Sequence, residues 1–308
     1  MESGLHGVIA AIPTAVDAGE PDCARSTRLA RFLLANGCNG LNVLGTTGEA
    51  TSFSILQRQR VMTAYRAAQL PMQRLMVGTG AAALADAVAL TRHAAEVGFA
   101  GALVLPPFYY KSVPDDGLFA YIETIVTATA QTPIPIYLYH FPAQSAVPWR
   151  LELIRRLLDT FGGRIAGLKD SSGDLSFARE AAKLAPNFKV FPSNEAALME
   201  ARAGTFAGCI SATANLNADL CARAWEDGDL LALEAAVRIR KLLEGRQAVP
   251  GVKTLVAHVH GDPAWARLQP PLMAFSENER TAVVAGYEEV RAAQAAAPDV
   301  PVPAAQAG

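Results

Sequence analysis

"IYLYHFPAQ", residues 136–144, starts as a buried strand and ends as something else. Ile136, Tyr137 and Leu138 suit a strand covered on both faces, Tyr139 and His140 place a phenol and an imidazole at its end, and Pro142 stops the pattern. Seven further short apolar runs surround it: "GVIAAI" (7–12), "GLNVLG" (40–45), "RLMVGTG" (74–80), "GALVLPP" (101–107), "RIAGLKD" (164–170), "FKVFPSN" (188–194) and "GCISAT" (208–213). Continuous apolar strands alternating with helical segments are the mark of βαβ units in a parallel sheet buried on both faces. Eight of them predict an α/β fold, a (β/α)8 TIM barrel, in preference to an open doubly wound sheet.

The segments between the runs agree. Ser54 followed by Gln57 is a capping box that opens a helix, and residues 81–98 space apolar side chains at three and four before Gly98 ends the pattern. After the eighth run the rhythm changes. Residues 217–245 and 276–296 read as helices, separated by a segment with Pro263, Pro270 and Pro271. The expected organisation is a barrel over residues 1–225, a C-terminal helical extension over 226–296 and a flexible Pro- and Ala-rich tail over 297–308.

Composition narrows the function. The 308 residues are 51% hydrophobic and 18% charged, enough apolar surface for a large core, and the net charge of −2 without a basic run offers nothing to nucleic acid or an anionic membrane. Cys23, Cys38, Cys209 and Cys221 are scattered without C-x-x-C spacing and read as reduced thiols. No signal-peptide pattern and no apolar run of membrane-spanning length is evident, so a cytoplasmic location is expected. The partners expected are a small molecule and further copies of the chain.

Active sites of such barrels form at the carboxyl ends of the strands, which selects Thr46, Thr47, Tyr109, Tyr110, Tyr139, His140, Lys169, Asn194 and Ser211. Lys169 is the most informative. Lysine is rarely buried without a partner, and desolvation disfavours an ammonium and so favours the neutral amine that attacks a carbonyl. A lysine whose stem packs while its head reaches solvent or Asp170 is the structural alternative. Tyr139, on the neighbouring strand, would be a proton carrier if it points inward, and the Gly-Thr-Thr-Gly turn could cradle a carboxylate with N–H and hydroxyl groups.

Together "GLNVLGTTGEATSFS", "VLPPFYYK", "YLYHFP" and "GLKDSSGD", in that order, resemble the dihydrodipicolinate synthase and N-acetylneuraminate lyase family of class I aldolases. The resemblance runs from about residue 5 to the final helices and implies a homotetramer that forms a Schiff base between the motif lysine and pyruvate or another 2-keto acid. By motif it implies Lys169 as the Schiff-base lysine and Tyr139 as the proton relay and guide of the bound carbonyl. It further implies Thr46 and Thr47 as the carboxylate-binding pair, with Thr47 joining the relay, and Ile210 as the apolar residue whose backbone lies beside the lysine. Tyr109 matches the tyrosine lent to a neighbouring subunit, with Tyr110 as its rival. No metal or other cofactor is implied.

The departures from the family pattern choose among reactions. True synthases have an arginine two residues past the strand-five proline to hold a second carboxylate, and here that position is Gln144. A polar, uncharged set of Gln144, Ser193, Asn194 and Thr213 is expected to suit hydroxyl groups. The sequence therefore points to an aldolase or dehydratase acting on a 2-keto-3-deoxy sugar acid or related hydroxylated 2-keto acid. Condensation of pyruvate with aspartate semialdehyde to 4-hydroxy-tetrahydrodipicolinate, and keto-acid binding without catalysis, are the alternatives. His140 reads as a structural hydrogen-bonding residue where the family usually has Asn. Gly78, Gly80 and Ala83 fit a G-x-G-x-x-A spacing, with Glu96 at a distance suited to a ribose, but a dinucleotide site would open the first βαβ unit rather than follow the third strand. His258 and His260 form an H-x-H pair far from every strand end.

Overall fold

The computed structural model describes residues 4–296, and the expected tail over 297–308 lies outside the described residues. Eight parallel strands follow one another: β1 (Gly7–Ala11), β2 (Gly40–Val43), β3 (Leu75–Gly78), β4 (Gly101–Val104), β5 (Ile136–His140), β6 (Ile165–Asp170), β7 (Lys189–Pro192) and β8 (Gly208–Ser211). Each pairs with its successor from β1 to β7, and β8 pairs back onto β1, with Ile9 beside Ile210. At the remaining seam the Ala207 N–H donates to the Val190 carbonyl at 3.0 Å, so the sheet is a nearly closed (β/α)8 barrel.

Period-2 alternation divides the strand residues into two sets. Ile9, Ala11, Met76, Leu103, Tyr137, Tyr139, Phe191 and Ile210 fill the barrel interior, while Val8, Leu41, Val43, Val77, Ile136, Leu138 and Val190 face the helices. The Tyr137 ring fits because its neighbouring strands carry glycine. A Cβ on Gly101 would stand 2.6 Å from it, and one on Gly167 would stand 2.8 Å away.

Seven helices cover the outside between strands or after them: α1 (Cys23–Ala35), α2 (Ile55–Ala67), α3 (Leu84–Val97), α4 (Asp115–Ala128), α5 (Leu151–Phe161), α6 (Leu175–Ala182) and the short α7 (Leu198–Arg202). The Ser54–Gln57 capping box is present at α2, and Gly98 closes α3 in the left-handed region. An eighth, α8 (Ala214–Asp227), follows β8 and ends at Gly228 with φ of 74°.

The extension differs in detail from expectation. The helix expected over 217–245 is two, α8 and α9 (Leu230–Lys241), because Gly228 ends the first and the Asp229 carboxylate caps the Ala232 N–H of the second. The expected division after residue 225 thus falls inside the last turn of α8. A further helix, α10 (Ala248–Val259), occupies part of the segment expected to separate the two helical stretches. Pro250 sits in the first turn, where a missing N–H costs nothing, and Gly251 lets the helix pack where a Cβ would stand 2.6 Å from Leu243. The chain then returns as α11 (Glu277–Ala296), whose Tyr287 hydroxyl donates to the Leu216 carbonyl at 3.2 Å.

Candidate active site

Inward orientation at the strand ends brings the expected residues together. Lys169 on β6 and Tyr139 on β5 are register partners, and the Lys169 Nζ lies 4.4 Å from the centre of the Tyr139 ring. Lys169 is 3% exposed, and among the described residues no hydrogen bond or salt bridge holds its ammonium. Both side chains line a cavity of about 780 Å³ at the carboxyl end of the barrel, together with Ala11, Thr46, Thr47, Phe141, Gln144, Ser193, Ile210 and Thr213. A smaller adjoining cavity of about 150 Å³ shares Thr46, Tyr139 and Gln144.

The turn after β2 presents the two threonines. Leu44 and Glu49 take positive φ at either side of it, and the Glu49 N–H closes it onto the Thr46 carbonyl at 3.0 Å. A Cβ on Gly45 would stand 2.8 Å from the Asn42 amide nitrogen, so a larger residue there would displace the Asn42 side chain. The Tyr139 hydroxyl hydrogen-bonds the Thr46 hydroxyl at 3.2 Å. The hydroxyl beside the phenol is therefore that of Thr46 rather than the expected Thr47, which lines the cavity on its own.

Other candidates separate. Asn194 is not among the cavity-lining residues, and its side chain instead accepts the Ala196 N–H at 3.0 Å, capping the short helix at Glu195. Ser211 faces outward and, with Thr213, donates to the buried Glu195 carboxylate, the Ser211 bond being 2.7 Å. Tyr109 and Tyr110 are 76% and 72% exposed, edge to face at 5.4 Å, and neither lines the cavity of its own chain.

His140 alternates outward from Tyr139 and leaves the cavity altogether. Its Nδ1 accepts the Trp149 N–H at 3.1 Å and its ring stacks on Phe177 at 4.4 Å, so the imidazole serves as a strand-end anchor. Burial lowers its pKa to about 4 against the opposing pull of Asp174, which leaves a neutral ring with its proton on Nε2.

The glycines of the possible dinucleotide motif have another purpose. A Cβ on Gly78 would stand 2.0 Å from the Leu44 carbonyl, one on Gly80 would stand 2.6 Å from the Leu105 nitrogen, and the buried Arg58 guanidinium occupies both their carbonyls. That spacing follows from close packing of adjacent loops. The H-x-H pair also disperses: His258 Nε2 lies 2.5 Å from Glu288, and the His260 ring packs edge-on against Phe32.

The expectation of an uncharged cavity requires correction. Arg240 from α9, and Glu244 and Arg246 from the segment that follows it, also line the cavity, because the helical extension folds over the barrel mouth. Arg240 is steadied by Glu195 at 3.3 Å. A reading confined to strand ends had no means of placing these residues there. A Lys/Arg-rich last turn on α9 was visible, but an amphipathic helix normally shows such charges to solvent.

The sequence profile of the Dihydrodipicolinate synthetase family matches residues 4–289. An uncharacterised DapA-like lyase of Chloroflexus aurantiacus is 33% identical over 93% of this chain and 97% of its own. The 4-hydroxy-tetrahydrodipicolinate synthase of Rhodospirillum centenum is 33% identical over 78% of this chain and 80% of its own. The crystal structure of dihydrodipicolinate synthase from Agrobacterium tumefaciens superimposes with a TM-score of 0.87 at 28% identity, covering 94% of this chain and 99% of that one. The chain belongs to the dihydrodipicolinate synthetase family.

Proposed function

We propose that the protein is a class I lyase that cleaves or dehydrates a 2-keto-3-deoxy sugar acid or a related hydroxylated 2-keto acid. The observation that carries this reading is the buried Lys169 amine, set beside the Tyr139 ring at the floor of an open cavity and without a carboxylate partner among the described residues. Such an amine adds to the C2 carbonyl and water leaves, giving a protonated imine that acts as an electron sink.

In the aldolase the C4 hydroxyl loses its proton, the C3–C4 bond breaks, and its electrons pass into the imine to form an enamine. In the dehydratase a C3 proton is removed and the enamine expels a hydroxyl as water. In the aldolase the enamine is then protonated at C3, whereas loss of water in the dehydratase regenerates the iminium directly, and hydrolysis of the imine frees Lys169 in both. The Tyr139 and Thr46 hydroxyls, 3.2 Å apart, form the relay for these protons. Thr47 and the turn's N–H groups bind the keto-acid carboxylate, Ile210 walls the lysine, and Gln144 and Ser193 receive the hydroxylated portion.

A second reading is condensation of pyruvate with aspartate semialdehyde. It draws support from the name of the Rhodospirillum relative and from Arg240 and Arg246, which could hold a second carboxylate although Gln144 cannot. A cytoplasmic homotetramer in which Tyr109 completes a neighbour's site remains the expected setting, supported by the exposure of Tyr109.

The test is to incubate the protein with pyruvate, reduce with borohydride and map the added mass, with Lys169→Ala as control. A reduced adduct on Lys169 is expected. A folded protein that yields none with several 2-keto acids sinks the lyase reading in favour of binding alone. Assays for pyruvate and for the dehydrated product, run on a panel of 2-keto-3-deoxy acids and on aspartate semialdehyde, then separate the reactions.

A further inference from the structure

The turn that carries Thr46 and Thr47 is not held by barrel residues alone. Glu49, its last residue, has φ of 54°, a left-handed conformation that disfavours any residue but glycine. Its side chain is fully buried and is held by the helical extension at both oxygens. Lys253 Nζ, on α10, lies 2.5 Å from Oε1, and the Gln269 N–H donates to Oε2 at 2.7 Å. Lys253 also donates to the Thr14 carbonyl at 3.0 Å, and the Thr14 hydroxyl donates to the Gly48 carbonyl at 2.8 Å. Two loops of the barrel mouth thus converge on one ammonium that is supplied from more than 200 residues away in the chain.

We propose that Lys253 is a positioning residue for the candidate active site. Through Glu49 and Thr14 it fixes residues 45–49 in the conformation that sets Thr46 against the Tyr139 hydroxyl and Thr47 against the cavity. The inference rests on the reading of this cavity as a 2-keto-acid site.

Energetics favour a geometric purpose over simple stabilisation. A fully buried ion pair recovers little more than the cost of desolvating its ions, and an apolar pair of equal volume often serves stability as well. What an apolar pair cannot supply is the simultaneous hold on a carboxylate and on the Thr14 carbonyl. α10 also contributes Pro250 and Val252 to the cavity wall, so the same helix that faces the ligand holds the turn opposite.

Lys253→Met alone strands a buried carboxylate and risks unfolding the chain, so the decisive variant is Glu49→Gln with Lys253→Met, which removes both charges. Three quantities are read on the full chain: amide hydrogen exchange in a peptide spanning residues 45–50, the pyruvate concentration that half-saturates adduct formation on Lys169, and the maximal adduct. The double variant and the wild type are both expected to unfold cooperatively. Amide exchange in the turn should be at least tenfold faster than in the wild type and half-saturation at least tenfold higher, with the maximal adduct retained. A folded double variant with wild-type exchange in the turn and unchanged half-saturation overturns the proposal. Failure of the wild-type protein to form any adduct strikes instead at the reading of the site, and the amide exchange still decides whether Lys253 positions the turn.

Discussion

Lys169 and Tyr139 sit side by side on adjacent parallel strands, with the amine nitrogen 4.4 Å from the centre of the phenol ring and the phenol hydroxyl paired with Thr46. On the proposed mechanism the ring has two separable duties: its face shelters the amine and its hydroxyl moves protons. Tyr139→Phe keeps the first and deletes the second. Borohydride trapping on Lys169 should therefore persist, while turnover falls about 10²- to 10⁴-fold, the range for loss of a general acid–base group. Thr46→Val should reduce turnover in the same direction by a smaller factor. Full activity of Tyr139→Phe on the identified substrate would remove the phenol from the mechanism.

His140 predicts a pH dependence of stability rather than of catalysis. Its pKa falls from 6.5 in the unfolded chain to about 4 in the fold, so between these values the unfolded state binds the extra proton. The stability it contributes is complete above pH 6.5 and is lost as pH falls toward 4. Asp174 opposes the shift, and Asp170, whose own pKa is raised by burial, lies on the same strand-end layer. In His140→Asn the amide oxygen can still accept the Trp149 N–H, but nothing titrates. Thermal midpoints at pH 7.5 and pH 4.5 should differ less for this variant than for the wild type. An identical drop in both would assign the acid sensitivity to the carboxylates.

Asn42 is a buried polar group without a hydrogen-bond partner among the described residues. It lies inside the barrel between Ala11 and Met76, and neither its amide nitrogen nor its oxygen is paired there. An unsatisfied buried amide costs on the order of 1–3 kcal/mol. Asn42→Leu, which keeps the branched outline and heavy-atom count but carries bulkier methyl groups, should raise stability by about 1 kcal/mol in denaturant titration. A lower midpoint would mean that an ordered water satisfies the amide in solution.

The eight strands were legible because strands buried on both faces must be continuous apolar runs, and the "GLKD" and "YLYH" ends stood out as polar breaks in them. Inward placement of Tyr139 and outward placement of His140 follow from period 2 once one strand residue is oriented. Other features depended on long-range contacts that no local pattern encodes. Thr46 and Thr47 are adjacent hydroxyls in one turn, and only the side chain of Tyr139, 93 residues away, distinguishes them. Asn194 ends its strand like a site residue, yet an amide beside a helix start is as readily spent on capping. Arg240 and Lys253 lie in helices whose sequence says nothing of the barrel mouth, and α10 falls between the two expected helical stretches, with Pro250 tolerated in its first turn.

Arg240 supplies the last prediction, which concerns the distal end of the substrate. Its guanidinium is anchored on one side by Glu195 at 3.3 Å, and the buried carboxylate is also bound by Ser211, Thr213 and Asn217, so the arginine is steered rather than left to sample solvent. The same side chain lines the cavity that holds Lys169. Arg240→Lys keeps a cation for Glu195 but loses the planar fork that binds two oxygens at once. Pyruvate, too short to need that end of the cavity, should form its adduct on Lys169 with unchanged half-saturation. The complete substrate should lose about 10- to 100-fold in kcat/KM, the loss expected when one charge-assisted contact of 1.5–3 kcal/mol is removed. Retained kcat/KM with the full substrate would show that Arg240 serves only to balance Glu195, and would return the choice of second substrate to Gln144 and Ser193.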